Sequence, residues 1–187
     1  MTKDPFCVTI HMVTSFDGFI AKSDNSISWF ESSDFFEKGV EITEQDTKQF
    51  LKTIDCYVMG SATYGQALEL SGSYGWAYGD VPVIVLSRRN LTINRPNIEI
   101  FSGDLNHLVH DVLKPKYRNV WVAGGASLVN DFIRLKLANE IRVTIIPVIL
   151  GNGKLFLDSI GLEQALHLKD VTAYKNGMVE LWYEIIK

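Results

Sequence analysis

Two adjacent glycines, Gly124 and Gly125, separate the apolar run Asn119-Val120-Trp121-Val122-Ala123 from apolar residues at helical spacing, Leu128, Val129, Phe132 and Ile133. That pattern predicts a strand, a tight turn and a helix. The first amides of a helix have no intrahelical partner and the macrodipole adds partial positive charge there, so Gly124, Gly125, Ala126 and Ser127 form a candidate phosphate seat. An ordinary strand-to-helix turn would use the same glycines, because the pattern is not G-x-G-x-x-G. The unit recurs: Asp55-Cys56-Tyr57-Val58-Met59-Gly60 reads as a strand, and Ser61 to Leu68 as a helix launched from Gly60. A third strand, Pro82 to Ser87, ends in Ser87-Arg88-Arg89, where Arg88 is either a solvated strand-end arginine or a phosphate partner. In open parallel sheets ligands lie outside the carboxyl ends of the strands. A ligand reaching all three ends would be extended and phosphorylated, as a dinucleotide is.

Two carboxylates are candidates for acid–base work. Asp17 lies in an Asp17-Gly18 turn, where an aspartate commonly bonds its own backbone. Asp34 follows Trp29 and Phe30 and precedes Phe35 and Phe36. It is either the cap of a short helix entered through Ser32, Ser33 and Asp34, or a partly desolvated carboxylate able to hold or protonate a ring nitrogen.

The elements that must position these residues alternate strand and helix. Phe6 to Thr14 is the first strand. Thr43 and Asp46 open a helix with Phe50, Leu51 and Ile54 on its apolar face. Ser71 to Asp80 reads as a loop, Ile98 to Phe101 as a strand and Asp104 to Leu113 as a helix. Glu140 to Leu150 reads as a strand that bulges or ends near Pro147. Lys175-Asn176-Gly177 between Leu166–Tyr174 and Met178–Ile186 predicts a hairpin with a type I′ turn. This order implies helices on both faces of a mostly parallel sheet with an antiparallel edge.

At 187 residues and 47% hydrophobic content the chain suits one domain spanning 1–187. A net charge of -4 without a Lys/Arg run gives no field for nucleic acid, and no apolar stretch reaches membrane-spanning length. Cys7 and Cys56 lie in strand-like runs and read as buried thiols rather than a disulfide or metal pair. The expectation is a cytoplasmic protein without metal.

Five motifs are spread in order over nearly the whole chain: Ser15 to Ala21, Asp55 to Thr63, Val83 to Arg88, Val122 to Leu128, and Pro147 to Gly153. Together they resemble the dihydrofolate reductase-like superfamily, and within it the C-terminal reductase domain of RibD, the bifunctional riboflavin-pathway enzyme. The resemblance implies a three-layer α/β/α sandwich, a homodimer, and NADPH held by Gly60, Ser61, Thr63, Ser87, Arg88, Gly124, Gly125, Ala126, Ser127 and Leu128. It implies an oxidoreductase passing hydride to a small heterocycle or sugar-imine, as in 5-amino-6-(5-phosphoribosylamino)uracil reductase. A dihydrofolate or pteridine reductase, and a non-catalytic nucleotide-binding module, are the alternatives.

By the same resemblance Trp29, Asp34 and Thr144 fall where dihydrofolate reductases carry an active-site tryptophan, the pterin-binding acid and its threonine. Asp17, Phe19 and Asp34 would face substrate. Two departures stand out. Ser61 replaces the arginine that holds the adenosine 2′-phosphate in dihydrofolate reductases, which shifts that role to Arg88. Phe19 stands where RibD reductases often place a basic residue, which weakens the case for a phosphoribosyl substrate. The zinc deaminase elements of RibD are absent from the sequence.

Overall fold

The computed structural model describes residues 5–186. Ten strands run in chain order as β1 (Cys7–Ser15), β2 (Phe19–Ala21), β3 (Cys56–Gly60), β4 (Val83–Leu86), β5 (Ile98–Phe101), β6 (Asn119–Val122), β7 (Glu140–Ile146), β8 (Lys154–Leu155), β9 (Leu166–Ala173) and β10 (Val179–Ile185). Four helices interleave with them: α1 (Glu44–Leu51), α2 (Ser61–Tyr74), α3 (Leu105–His107) and α4 (Ala126–Arg134). Eight strands form one sheet in the order β5-β4-β3-β6-β1-β7-β10-β9, and β2 pairs with β8 in a separate ribbon. The first six strands of that order are parallel to one another; β10 is antiparallel to both β7 and β9.

Side-chain alternation along the strands assigns each residue to one of two layers. Val8, Ile10, Met12, Cys56, Val58, Val120 and Val122 pack with Leu105, Leu108, Val129, Phe132 and Ile133, so α3 and α4 cover one face. Tyr57, Met59, Val83, Val85 and Trp121 pack with Ile54, Tyr64, Phe50 and Leu51, so α1 and α2 cover the other. The chain is a three-layer α/β/α sandwich, as the sequence motifs implied.

Several local expectations are corrected. No helix forms around Asp34: Phe36 N–H donates to Lys175 O (2.7 Å) and the Ser32 hydroxyl donates to Asn176 O (2.7 Å), so groups a helix would use are tied to the β9–β10 turn. The segment Ser71 to Tyr74 belongs to α2, with the Ser71 hydroxyl donating to Leu68 O. The helix after Asp104 is capped by that aspartate and passes into a π-helical stretch over Leu108–Leu113. The final turn is not type I′, which needs positive φ at two residues. Only Gly177 in it has positive φ (77°), and the bonds Gly177 N–H to Tyr174 O and Tyr174 N–H to Met178 O make a three-residue loop closed by glycine. β7 ends at Ile146, one residue before Pro147. Cys56 is a fully buried thiol, pushed up to about 12 by burial, whereas Cys7 is only half-buried.

Phe132 has no exposure and locks α4 to the sheet. Phe132→Ala is expected to cost about 3–5 kcal/mol through lost transfer energy and the cavity left behind. Urea denaturation monitored by far-UV circular dichroism measures it.

Candidate active site

The carboxyl ends of β3, β4, β5, β6 and β1 open into one groove of about 2140 Å³. Its walls bring together the three strand ends singled out from the sequence. Gly60, Ser61 and Thr63 line it at the start of α2, Ser87, Arg88 and Arg89 after β4, and Gly125, Ala126, Ser127 and Leu128 at the start of α4. Both helices begin without a side-chain cap, at Gly60 and Gly125. Their first N–H groups are therefore left for a ligand.

The two helix starts touch. Gly60 N–H donates to Gly124 O (2.9 Å), and a Cβ on Gly125 would lie 3.5 Å from Thr63 Oγ1. Gly124 has φ 103°, a conformation that disfavours any side chain, and a Cβ there would lie 3.2 Å from the Met12 sulfur. The Gly124–Gly125 peptide is cis. Gly124 itself stands behind the lining, which lets Gly125 form the surface.

At the inner end the groove is aromatic. Trp121 lies against His11 (centroids 4.5 Å, planes inclined by 30°) and against Phe50 (4.9 Å, inclined by 59°), and Phe30 and Tyr57 complete the lining. Strand register puts a polar cluster on the same sheet face. His11 lies opposite Arg142, Val13 opposite Thr144, and Thr144 opposite Glu180. The Glu180 carboxylate, 10% exposed, accepts from Arg142 Nη2 (2.5 Å) and Tyr174 Oη (3.1 Å) and lies 3.4 Å from Thr144 Oγ1 and 3.9 Å from His11 Nε2. Burial alone would raise this carboxyl; the facing His11 imidazole and the Arg142 guanidinium outweigh it and hold Glu180 at about 2. Arg142 also lies over the Phe50 ring at 4.5 Å, joining the cluster to the groove wall.

The other expected site residues sit elsewhere. Asp17 is bonded to the Ser15 hydroxyl (2.6 Å) and to the N–H groups of Leu150 (3.1 Å) and Gly151 (2.7 Å). The Ser15 bond foremost, against a small desolvation and with help from those N–H groups, lowers its carboxyl below the usual range. Asp17 thus ties the first turn to the segment after β7. Phe19 pairs with Leu155 in the ribbon, while its neighbours Ile20 and Ala21 line the groove. Trp29 is buried edge-on against Phe30 (4.7 Å), and Phe30 takes the place on the wall. Thr144 faces Glu180 rather than the groove. Asp34 is exposed and lies over the β9–β10 turn, where a Cβ on Gly177 would collide with its carboxylate. It is not part of the groove wall, and with Phe35 71% exposed the aromatics do not desolvate it.

Sequence reasoning missed His11, Phe50, Arg142 and Glu180 as a group. Their signal was present as polar residues at alternate positions of apolar strands, Thr9 with His11 and Arg142 with Thr144, but the adjacency of β1, β7 and β10 is a matter of topology.

A three-layer sandwich whose parallel strands end in two uncapped helix starts is the fold class that the sequence motifs implied. The chain belongs to the RibD C-terminal domain family, whose model matches residues 7–180. It is 28% identical to the uncharacterized protein YwjB of Bacillus subtilis (strain 168) over 174 residues, 93% of this chain and 95% of that one. Its fold is shared with a putative riboflavin biosynthesis protein from Shewanella sp. PV-4 (TM-score 0.81, 19% identity, 97% of this chain and 100% of that one). It is shared too with a dihydrofolate reductase from Enterococcus faecalis complexed with NADP(H) (TM-score 0.57, 17% identity, 98% of each). No helix among the described residues is long and apolar enough to cross a membrane.

The depressed Glu180 carboxyl gives a pH prediction. Folding favours the ionised form, so its contribution is full above the ordinary value of 4.5 and is lost as pH falls through about 2. That contribution is on the order of 3 kcal/mol. Glu180→Gln should be less stable than wild type at pH 7, with a flatter loss of stability between pH 4.5 and 2. Chemical denaturation across that range measures both.

Proposed function

We propose that the chain is an NADPH-dependent reductase that transfers hydride to a small planar heterocycle or sugar-imine, of the kind represented by 5-amino-6-(5-phosphoribosylamino)uracil reductase. The observation that carries this reading is the meeting of two uncapped helix starts in one groove with Arg88 and Arg89 at one wall and a cluster of aromatic rings at the other. Amides at the starts of α2 and α4 suit a pyrophosphate, and the absence of a Cβ at Gly60 and Gly125 leaves room for its close approach. The exposed Arg88 guanidinium suits a 2′-phosphate. Reduced nicotinamide would supply the hydride. Trp121, Phe50 and Phe30 would hold a flat ring by its faces and keep water from it.

We further propose a homodimer in the cytoplasm. Leu181, Trp182, Tyr183 and Ile185 do not supply its surface, because β10 lies inside the sheet between β7 and β9. Exposed Leu166, Leu168 and Val171 on the edge strand β9 are the better support. Light scattering at micromolar concentration should return twice the 21.1 kDa chain mass.

Purified protein mixed with NADPH and a panel of pterins, pyrimidines and quinones, followed at the reduced-nicotinamide absorbance band, tests the activity. Binding without turnover across the panel overturns the enzymatic reading. Gly125→Val keeps an allowed backbone (φ -75°) but fills the seat, so NADPH affinity should fall at least about tenfold in a folded protein, read by fluorescence quenching. Arg88→Ala should erase most of a preference for NADPH over NADH. One charge-assisted contact is worth ~1.5–3 kcal/mol, roughly ten- to a hundredfold in affinity, and paired titrations with the two cofactors measure it.

A further inference from the structure

Reduction of a C=N bond needs a proton as well as a hydride, and the residue sequence reasoning offered for it, Asp34, lies outside the groove. The acids that do line the groove serve poorly. Asp24 and Glu69 are open to water, and Asp131 is paired with Arg134 at 2.8 Å. The Tyr57 hydroxyl, pushed up to about 12 by burial and the neighbouring Tyr78, holds its proton more tightly than usual. His11 differs from all of these. It lines the groove from the sheet floor, lies against Trp121 where a flat ring would lie, and has an anion behind it.

The geometry points to His11 as the group that protonates the substrate nitrogen, with Glu180 as the residue that positions it and stabilises its charge. This rests on the reductase reading above. Glu180 accepts its short bonds from Arg142 and Tyr174, while His11 Nε2 stays 3.9 Å from Glu180 Oε2. The carboxylate thus faces the imidazole from its Nε2 side and orients the ring. The titratable and charged groups around His11 are Glu180 on β10, Arg142 on β7 and Tyr174 at the start of the β9–β10 turn; α1 presents Phe50 and β6 presents Trp121.

In the step itself, the substrate carbon accepts hydride from reduced nicotinamide and the C=N π pair moves to nitrogen. A new N–H bond forms as an N–H bond of the His11 imidazolium breaks. The substrate gains two electrons, the dinucleotide loses two, and His11 is recharged by a proton from water. A cationic acceptor such as N-methylacridinium takes the hydride alone and becomes neutral, so it does not call on His11.

Wild type, His11→Gln and Glu180→Gln are compared with 7,8-dihydropterins and with N-methylacridinium as acceptors. His11→Gln should lower kcat on dihydropterin by at least about a hundredfold, with a loss at least about tenfold smaller on N-methylacridinium. Glu180→Gln should move the alkaline limb of the dihydropterin kcat profile to lower pH, because removing the anion weakens the imidazolium. Should His11→Gln fold poorly, imidazole NMR titration of wild type and Glu180→Gln reads the same coupling, with His11 titrating at lower pH in the variant. Equal loss on both acceptors, a dihydropterin rate kept by His11→Gln, identical His11 titrations, or a wild type that reduces only the cationic acceptor each overturn the proposal. A wild type that binds no NADPH overturns the parent reading and this one with it, an outcome the fluorescence titration distinguishes from the others.

Discussion

The back-to-back approach of two chain turns at the ends of neighbouring strands is the constraint on which the groove depends. β3 and β6 are hydrogen-bonded neighbours, so the segments leaving them, through Gly60 and through Gly124-Gly125, must pass each other at backbone distance. The Gly60 N–H donates to Gly124 O, and it is Gly124 that requires glycine, with a positive φ and Met12 pressed beneath it. Once the turns meet, α2 and α4 start side by side and their unpaired amides face a common space. A pair of ordinary capped helices at the same sites would fill that space with their own side chains.

A second constraint acts across the other half of the sheet. The face of β1, β7 and β10 below the groove carries His11, Arg142, Thr144 and Glu180, an arrangement that costs desolvation energy unless every charge is met. Glu180 meets that condition through Arg142, Tyr174 and the nearby His11 and Thr144, while Arg142 spreads its own charge over the Phe50 and Trp182 rings. The Arg142 Nε is buried without an acceptor. Such a cluster places fixed charges beside the aromatic wall of the groove.

The segment around Asp34 shows how a local reading can point the wrong way. Trp29, Phe30, Phe35 and Phe36 look like one aromatic shelter in sequence, yet Trp29 is buried, Phe30 lines the groove and Phe35 is in solvent. The backbone between them is captured by the β9–β10 turn, some 140 residues further along the chain, through Ser32 and Phe36. Nothing in the spacing of those residues reports that capture.

The sequence by itself determined the three-layer order, because strand and helix periodicities are set by 2- and 3.6-residue repeats that survive in one dimension. It also determined the glycine turns and the uncapped helix starts after Gly60 and Gly125, because missing side chains and helix starts are local properties. Tertiary structure alone decided the polar floor. His11, Arg142 and Glu180 lie on three strands far apart in the chain, and only the placement of β10 antiparallel beside β7, with β1 on the other side, lets their alternating side chains converge on one face. It likewise decided that Asp17 would tie down the segment after β7 and that Asp34 would stand outside the groove, since the Leu150 and Gly151 N–H groups that Asp17 accepts from, and the Gly177 turn over which Asp34 lies, are more than a hundred residues away.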